Sequence, residues 1–162
     1  MGRYPTKAAD NMFCKARMKA ARLNGKLRSK EGAAEMLGVS ASTLSDYELG
    51  LTKNVPPDMV IKMADLYDAP ELQNYYCTEM CPLGCDMPKT EIENLDRLTV
   101  QMLSSFRKMQ ENSEILLDIT EDGQIDESEK KLMEEVLDNL TEVTRITENL
   151  KLWVKKNFKE GL

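Results

Sequence analysis

The chain has 162 residues, 41% of them hydrophobic, with 22 Lys+Arg against 28 Asp+Glu, four cysteines and no histidine. The missing histidines exclude His-dependent triads, histidine general bases and zinc sites built on imidazole, and no apolar run reaches the ~18 residues that would suggest a membrane span. The net charge of −6 is an average: residues 1–30 hold nine bases against Asp10 alone, residues 31–88 two against ten acids, and residues 89–162 eleven against seventeen, so a basic face on an acidic body is possible.

Apolar residues recur at intervals of three and four almost throughout, which predicts an all-α chain. The opening MGRYPTKAADNMF lacks an apolar h-region, so no signal peptide is expected, the chain reads as cytoplasmic, and stable disulfides are not expected. A first helix runs from Asn11-Met12 to about Leu23, where Asn24-Gly25 stops it. Ser29 caps a second through about Leu37, with Gly38 as its left-handed terminator. Ser40 caps a third from Ala41 to about Leu49, ended by Gly50. Pro56-Pro57 starts a fourth, Asp58 to Tyr67, and Pro70 opens a fifth, Glu71 to about Met80. Pro82, Gly84 and Pro88 then break the chain, dividing a helix-turn-helix domain with its cysteine-bearing linker (1–88) from a helical hairpin (89–162).

The hairpin is expected to be two long antiparallel helices, because the connection Ile119–Asp126 is short. Ile92, Leu95, Thr99, Met102, Phe106, Met109, Ser113 and Leu116 follow a 3-4 spacing in the first. Leu132, Val136, Leu140, Val143, Thr147, Leu150 and Val154 do nearly the same in the second, and Leu98, Leu103, Met133, Leu137, Ile146 and Trp153 widen the stripes. Two helices cannot bury both stripes alone. A homodimer through these coiled-coil-like helices is expected, with docking on the first region as the alternative.

The strongest motif is Lys30 to Tyr47, KEGAAEMLGVSASTLSDY. Two helices crossing steeply need a small residue at their contact, which Ala34 supplies. The turn between them needs a positive φ, which Gly38 supplies. Leu44 and Tyr47 bury one face of the second helix, leaving Ala41, Ser42, Ser45 and Asp46 free at its other face, where such helices enter the major groove.

At these residues the chain resembles the phage-repressor (XRE, lambda-repressor-like) helix-turn-helix family over about residues 12–68, most specifically in SxSTLSDYELG. The wider chain, with NYYC…CPLG and a long helical tail, also looks like XRE-type proteins of Firmicutes and their prophages. The resemblance implies a five-helix domain that binds double-stranded DNA as a dimer and regulates transcription. It implies that Lys30 touches phosphate, that Ser40, Ser42 and Thr43 lie at the groove, and that Lys53 meets the far backbone strand. It also implies that Glu48 pairs with an arginine of the first helix, for which Arg22 is the candidate. Recognition helices usually carry Arg, Gln, Asn or Lys; here Asp46 could accept from a cytosine amino group and Ala41 meet a thymine methyl. Affinity is therefore expected mainly from phosphates, through Arg28, Lys30, Lys53 and the first helix.

Cys77, Cys81 and Cys85, with Cys14 as a conceivable fourth, would suit zinc or an iron–sulfur cluster, against the alternative of small buried apolar residues. Residues 118–129 fit an EF-hand template in part, but Gly123 as a helix stop and Asp126 with Glu129 as a capping box explain them without calcium. No nucleophile–base pair or phosphate-cradling loop is visible, so no enzyme is expected. The competing function is a protein-interaction adaptor that keeps the helix-turn-helix fold without DNA.

Overall fold

Short capping signals decide where each helix of the first region begins and ends. The computed structural model describes residues 10–84, 87–119 and 125–158. Among these the regular structure is entirely helical: α1 (Met12–Ala20), α2 (Lys30–Leu37), α3 (Ala41–Leu49), α4 (Pro57–Leu66), α5 (Glu71–Tyr75), α6 (Leu95–Ile119) and α7 (Glu127–Asn157). The chain divides into two compact units, Met1–Lys89 and Thr90–Leu162.

In the first unit, Asn11 caps α1 by accepting from the Phe13 N–H at 2.8 Å and donates to the Tyr47 carbonyl at 3.2 Å. α1 stops at Ala20, a turn before the expected Leu23; Asn24 instead caps a 3-10 turn, Gly25–Arg28. Ser29 accepts from the Gly32 N–H and Ser40 from the Thr43 N–H, each at 3.0 Å, so both expected N-caps hold. Gly38 (φ 72°) and Gly50 (φ 68°) end α2 and α3 in the left-handed region, where a side chain would be strained. The fifth helix departs from expectation, since its α-geometry ends at Tyr75 and Tyr76–Met80 is a π-turn. Phe13, Leu27, Leu44, Met63 and Leu72 lie at the centre of the core, and Phe13 meets Tyr75 edge-on at 5.8 Å.

In the second unit, α6 and α7 are antiparallel. Glu93 near the start of α6 pairs with Arg145 and Asn149 late in α7, while Asn112, farther along α6, accepts from Asn139, earlier in α7, at 3.1 Å. The buried seam differs from the expected stripe. Leu98, Ser105, Asn112 and Ile119 are the buried positions of α6, seven residues apart, whereas Leu95, Thr99, Phe106 and Ser113 are exposed and Ile92 precedes the helix. On α7, Val136 and Ile146 are buried as expected, but Asn149 and Leu152 are buried where Thr147 and Leu150 were expected, and Leu140 is exposed. Asn112 and Asn149 are drawn inside because each finds a hydrogen-bonding partner there, a bond that hydropathy counting does not register.

Asp126 caps α7 by accepting from the N–H groups of Ser128 and Glu129, and Glu129 accepts from the Asp126 N–H at 2.9 Å, a complete capping box. The Ser128 hydroxyl and then these two N–H groups hold the Asp126 carboxyl below the ordinary carboxylate range, and Arg145 does the same for Glu142. Both acids bind a proton less readily folded than unfolded. Their stabilisation is therefore fully present above the unfolded pKa of ~4 and is lost as pH falls through the lower folded values. We expect Asp126→Ala to lower the melting temperature at neutral pH and to flatten its acid dependence below pH ~4, read by circular dichroism. An unchanged acid profile would remove the cap from the account.

Candidate nucleic-acid interface

The helix-turn-helix is held in place by one buried ion pair. Glu48, on α3, is fully buried, and Arg17, on α1, is 3% exposed. Arg17 Nη2 donates to Glu48 Oε2 at 2.9 Å and Nε donates to Oε1, a bidentate fork. Nη1 of the same guanidinium donates to the carbonyls of Leu27 (2.8 Å) and Arg28 (3.1 Å). One side chain thus ties α1, α3 and the turn before α2 together. The Glu48 carboxylate holds the Arg17 pKa up, and burial, then Glu48, pushes the Tyr67 hydroxyl up; burial, then Glu48, also raises the Cys14 thiol, keeping it protonated.

The expected partner, Arg22, lies beyond the end of α1 and is exposed. Phe13, Ala16, Arg17 and Ala20 share one face of α1 by spacing, so an arginine set among core residues was the available signal for Arg17. A second residue not singled out beforehand is Gly32. A Cβ there would sit 2.4 Å from the Lys26 carbonyl oxygen, so α2 reaches the preceding turn only because this residue is glycine.

Ala34 is 1% exposed at the contact of the two helices, and Leu44 and Tyr47 are buried beneath α3. Ser40 and Ser42 are exposed, and Ala41, Thr43, Ser45 and Asp46 are half-buried. Ser40 and Thr43 are engaged with one another through their hydroxyls at 2.8 Å as well as through the cap. Lys30 Nζ donates to Ser45 Oγ at 2.8 Å and lies 4.0 Å from Glu48 Oε2. Its ammonium is therefore drawn toward α3 while a third of the side chain stays exposed. Asp46 has no ion-pair partner among the described residues; its backbone carbonyl closes the turn after Gly50 by accepting from Leu51.

Lys53 is exposed in the segment between α3 and α4. Lys15, Lys19, Arg22 and Arg28 line an open cleft of about 560 Å³, together with Met18 and Ala21. None of these five cations has an acidic partner among the described residues, in a chain where acids outnumber bases. Unneutralised cations, four of them gathered at one cleft, are suited to a polyanion.

Cys77 and Cys81 are half-buried free thiols, and Cys85 lies outside the described residues. Cys77 is inside the π-turn and Cys81 ends it with extended backbone (φ −88°, ψ 119°), so the pair is not carried by a continuous α-helix as expected. Gly84 packs directly on the Cys77 backbone, where an added Cβ would fall 1.8 Å from the carbonyl oxygen. Among the described residues no group of three His, Cys, Asp or Glu side chains could hold a metal ion. Gly123 of the EF-hand-like stretch is outside the described residues, and Asp126 and Glu129, two of its carboxylates, are spent on the α7 cap.

Residues 18–72, about a third of the chain, match the helix-turn-helix family model, spanning the end of α1 through the start of α5. No curated protein and no solved structure matches the chain. Removing one side of a buried pair leaves the other charge unpaired, so Arg17→Met and Glu48→Ala should each cost about 3–5 kcal/mol of stability. Arg22→Ala should cost no more than about 0.5 kcal/mol. Urea denaturation measures all three, and equal losses at Arg17 and Arg22 would contradict the pairing.

Proposed function

We propose that this chain, whose residues 18–72 form a helix-turn-helix domain of the XRE (lambda-repressor-like) family, is a sequence-specific DNA-binding transcriptional regulator that acts as a dimer. The observations that carry this reading are the match of residues 18–72 to the helix-turn-helix family, an α3 on which Ser42 is exposed and Ser45 and Asp46 are half-buried, and five cations without acidic partners among the described residues. Helix-turn-helix proteins of this kind are regulators rather than enzymes, and no described helix is long and apolar enough to cross a membrane. A cytoplasmic setting fits that role.

In this reading the N-terminal part of α3 enters the major groove. Arg28, Lys53 and the cations of α1 neutralise phosphates and set the register, a role that carries affinity but no sequence information. Lys30 extends the same contact while Ser45 holds its ammonium beside α3. Base discrimination falls to Ser42, Ala41 and Asp46: a hydroxyl that accepts or donates, a methyl for thymine, and a carboxylate that accepts from cytosine N4. The carboxylate also repels phosphate, so a misplaced register is penalised as well as an incorrect base. The hairpin joins two copies so that two half-sites about one helical turn apart are read together.

Gel-shift titration against fragments selected by genome-wide DNA pull-down tests this. Affinity should fall linearly on a log–log salt plot, and Lys53→Ala should weaken all sites alike while reducing the slope by about 1. Asp46→Ala should instead relax discrimination at one base pair, by about 1–3 kcal/mol. No retention of any fragment at low salt, alongside stoichiometric capture of one protein partner, would replace this reading with the adaptor. Metal analysis of the same preparation tests separately whether Cys77, Cys81 and Cys85 hold zinc or an iron–sulfur cluster.

A further inference from the structure

The outer face of α3 has no strong donor of its own. Ala41 offers a methyl, Ser42 and Ser45 short hydroxyls and Asp46 a carboxylate, and α3 holds no arginine or lysine from Ala41 to Leu49. Guanine presents two acceptors in the major groove, O6 and N7, and arginine or lysine is the side chain that commonly meets them. By composition alone, α3 would leave guanine unread.

The missing cation is supplied by the neighbouring helix. Lys30 opens α2, fifteen residues before Ser45 in the chain, and its ammonium donates to Ser45 Oγ at 2.8 Å. The same nitrogen lies 4.0 Å from Glu48 Oε2. Ser45 and Glu48 are three residues apart and so adjoin along one side of α3. Between them they place the ammonium on the flank of the recognition helix. Arg17 already occupies the Glu48 carboxylate as a bidentate fork, so Lys30 stands at the edge of that pair rather than within it. Ser45 takes one of the three ammonium donors, and 34% of the Lys30 side chain remains exposed. Two donors are left for a ligand.

A lysine that meets phosphate alone needs charge but no fixed orientation, as exposed Lys53 illustrates. Holding the long side chain in one place costs rotamer entropy. A base contact requires that order and a phosphate contact does not. The position is also selective. Adenine shares the N7 acceptor but has an amino group where guanine has O6, and an ammonium has no acceptor to offer it. Asp46, next to Ser45 in the chain, supplies the acceptor for cytosine N4, so donor and acceptor stand together at the helix edge as a G·C pair demands.

We infer that Lys30, positioned by Ser45 and Glu48, determines specificity: beyond adding a cation near phosphate, its ammonium donates to O6 and N7 of a guanine in the major groove. The inference rests on the DNA-binding reading above and names the base that a residue outside the recognition helix reads.

Gel shifts on the fragments recovered by DNA pull-down test it, with each guanine of the bound site replaced in turn by 7-deazaguanine. That replacement removes N7 and leaves base pairing and backbone charge alone. The native protein should lose about fivefold or more in affinity at one guanine of a half-site. Lys30→Met should bind the unmodified site more weakly and be indifferent to the replacement at that guanine. Ser45→Ala, which keeps the Lys30 charge, should lose part of the discrimination there with an unchanged salt slope, and Lys53→Ala should keep all of it. Circular dichroism establishes that the variants are folded, and the scan on the native protein needs no variant. A native protein insensitive at every guanine, or Lys30→Met weakened equally at all sites with the full 7-deazaguanine penalty retained, would overturn the inference while sparing the DNA-binding reading. No DNA retention by the native protein would overturn both.

Discussion

The Arg17–Glu48 pair is the constraint on which the first unit depends. Taking two charges out of water is costly, and only complete hydrogen bonding offsets it. Glu48 receives a bidentate fork, and the remaining guanidinium nitrogen is taken by two carbonyls of the turn before α2. The arrangement does more than neutralise charge. It sets α3 against α1 and the entry to α2 at once, and any rotation of α3 on its axis would strand a carboxylate in the core. The core residues below, Leu44 and Tyr47, would tolerate such slippage better than the ion pair does.

That rigidity matters because α3 has few strong readers on its outer face. Ser42 and Asp46 are short, and Lys30 is held to Ser45, so little side-chain reach is available to correct a misplaced helix. A recognition surface made of short side chains works only if the backbone beneath it is already at the right depth and angle. Gly32 contributes to the same end, since α2 approaches the Lys26 carbonyl more closely than any side chain would allow. The unneutralised cations on α1 and beyond α3 are then spaced by the fold, which is how a chain of net charge −6 presents a basic surface.

In the second unit the polar interior has a different consequence. The Asn112–Asn139 bond and the Asn149 contacts with Glu91 and Glu93 fit this alignment of α6 and α7, so a slip of one turn would break all of them. Leucine in their places would pack in several registers. Apolar area is given up inside for alignment, while Leu103, Phe106 and Leu137 stay exposed outside.

Much of this was legible in the residues. Ser29, Ser40 and Asp126 as caps and Gly38 and Gly50 as terminators are local choices, made within four residues of chain, and local sequence is enough to specify them. What needed the tertiary structure were the long-range pairings: Arg17 rather than Arg22 for Glu48, the π-turn at Tyr76–Met80 where α-helix was expected, and the buried seam at Ser105 and Asn112 instead of Phe106. Each depends on a partner roughly 30 residues away, or on backbone such as Gly84 pressing against Cys77. Periodicity reports how apolar a helix face is; which face turns inward was decided by hydrogen bonds that exist only once both helices are in place.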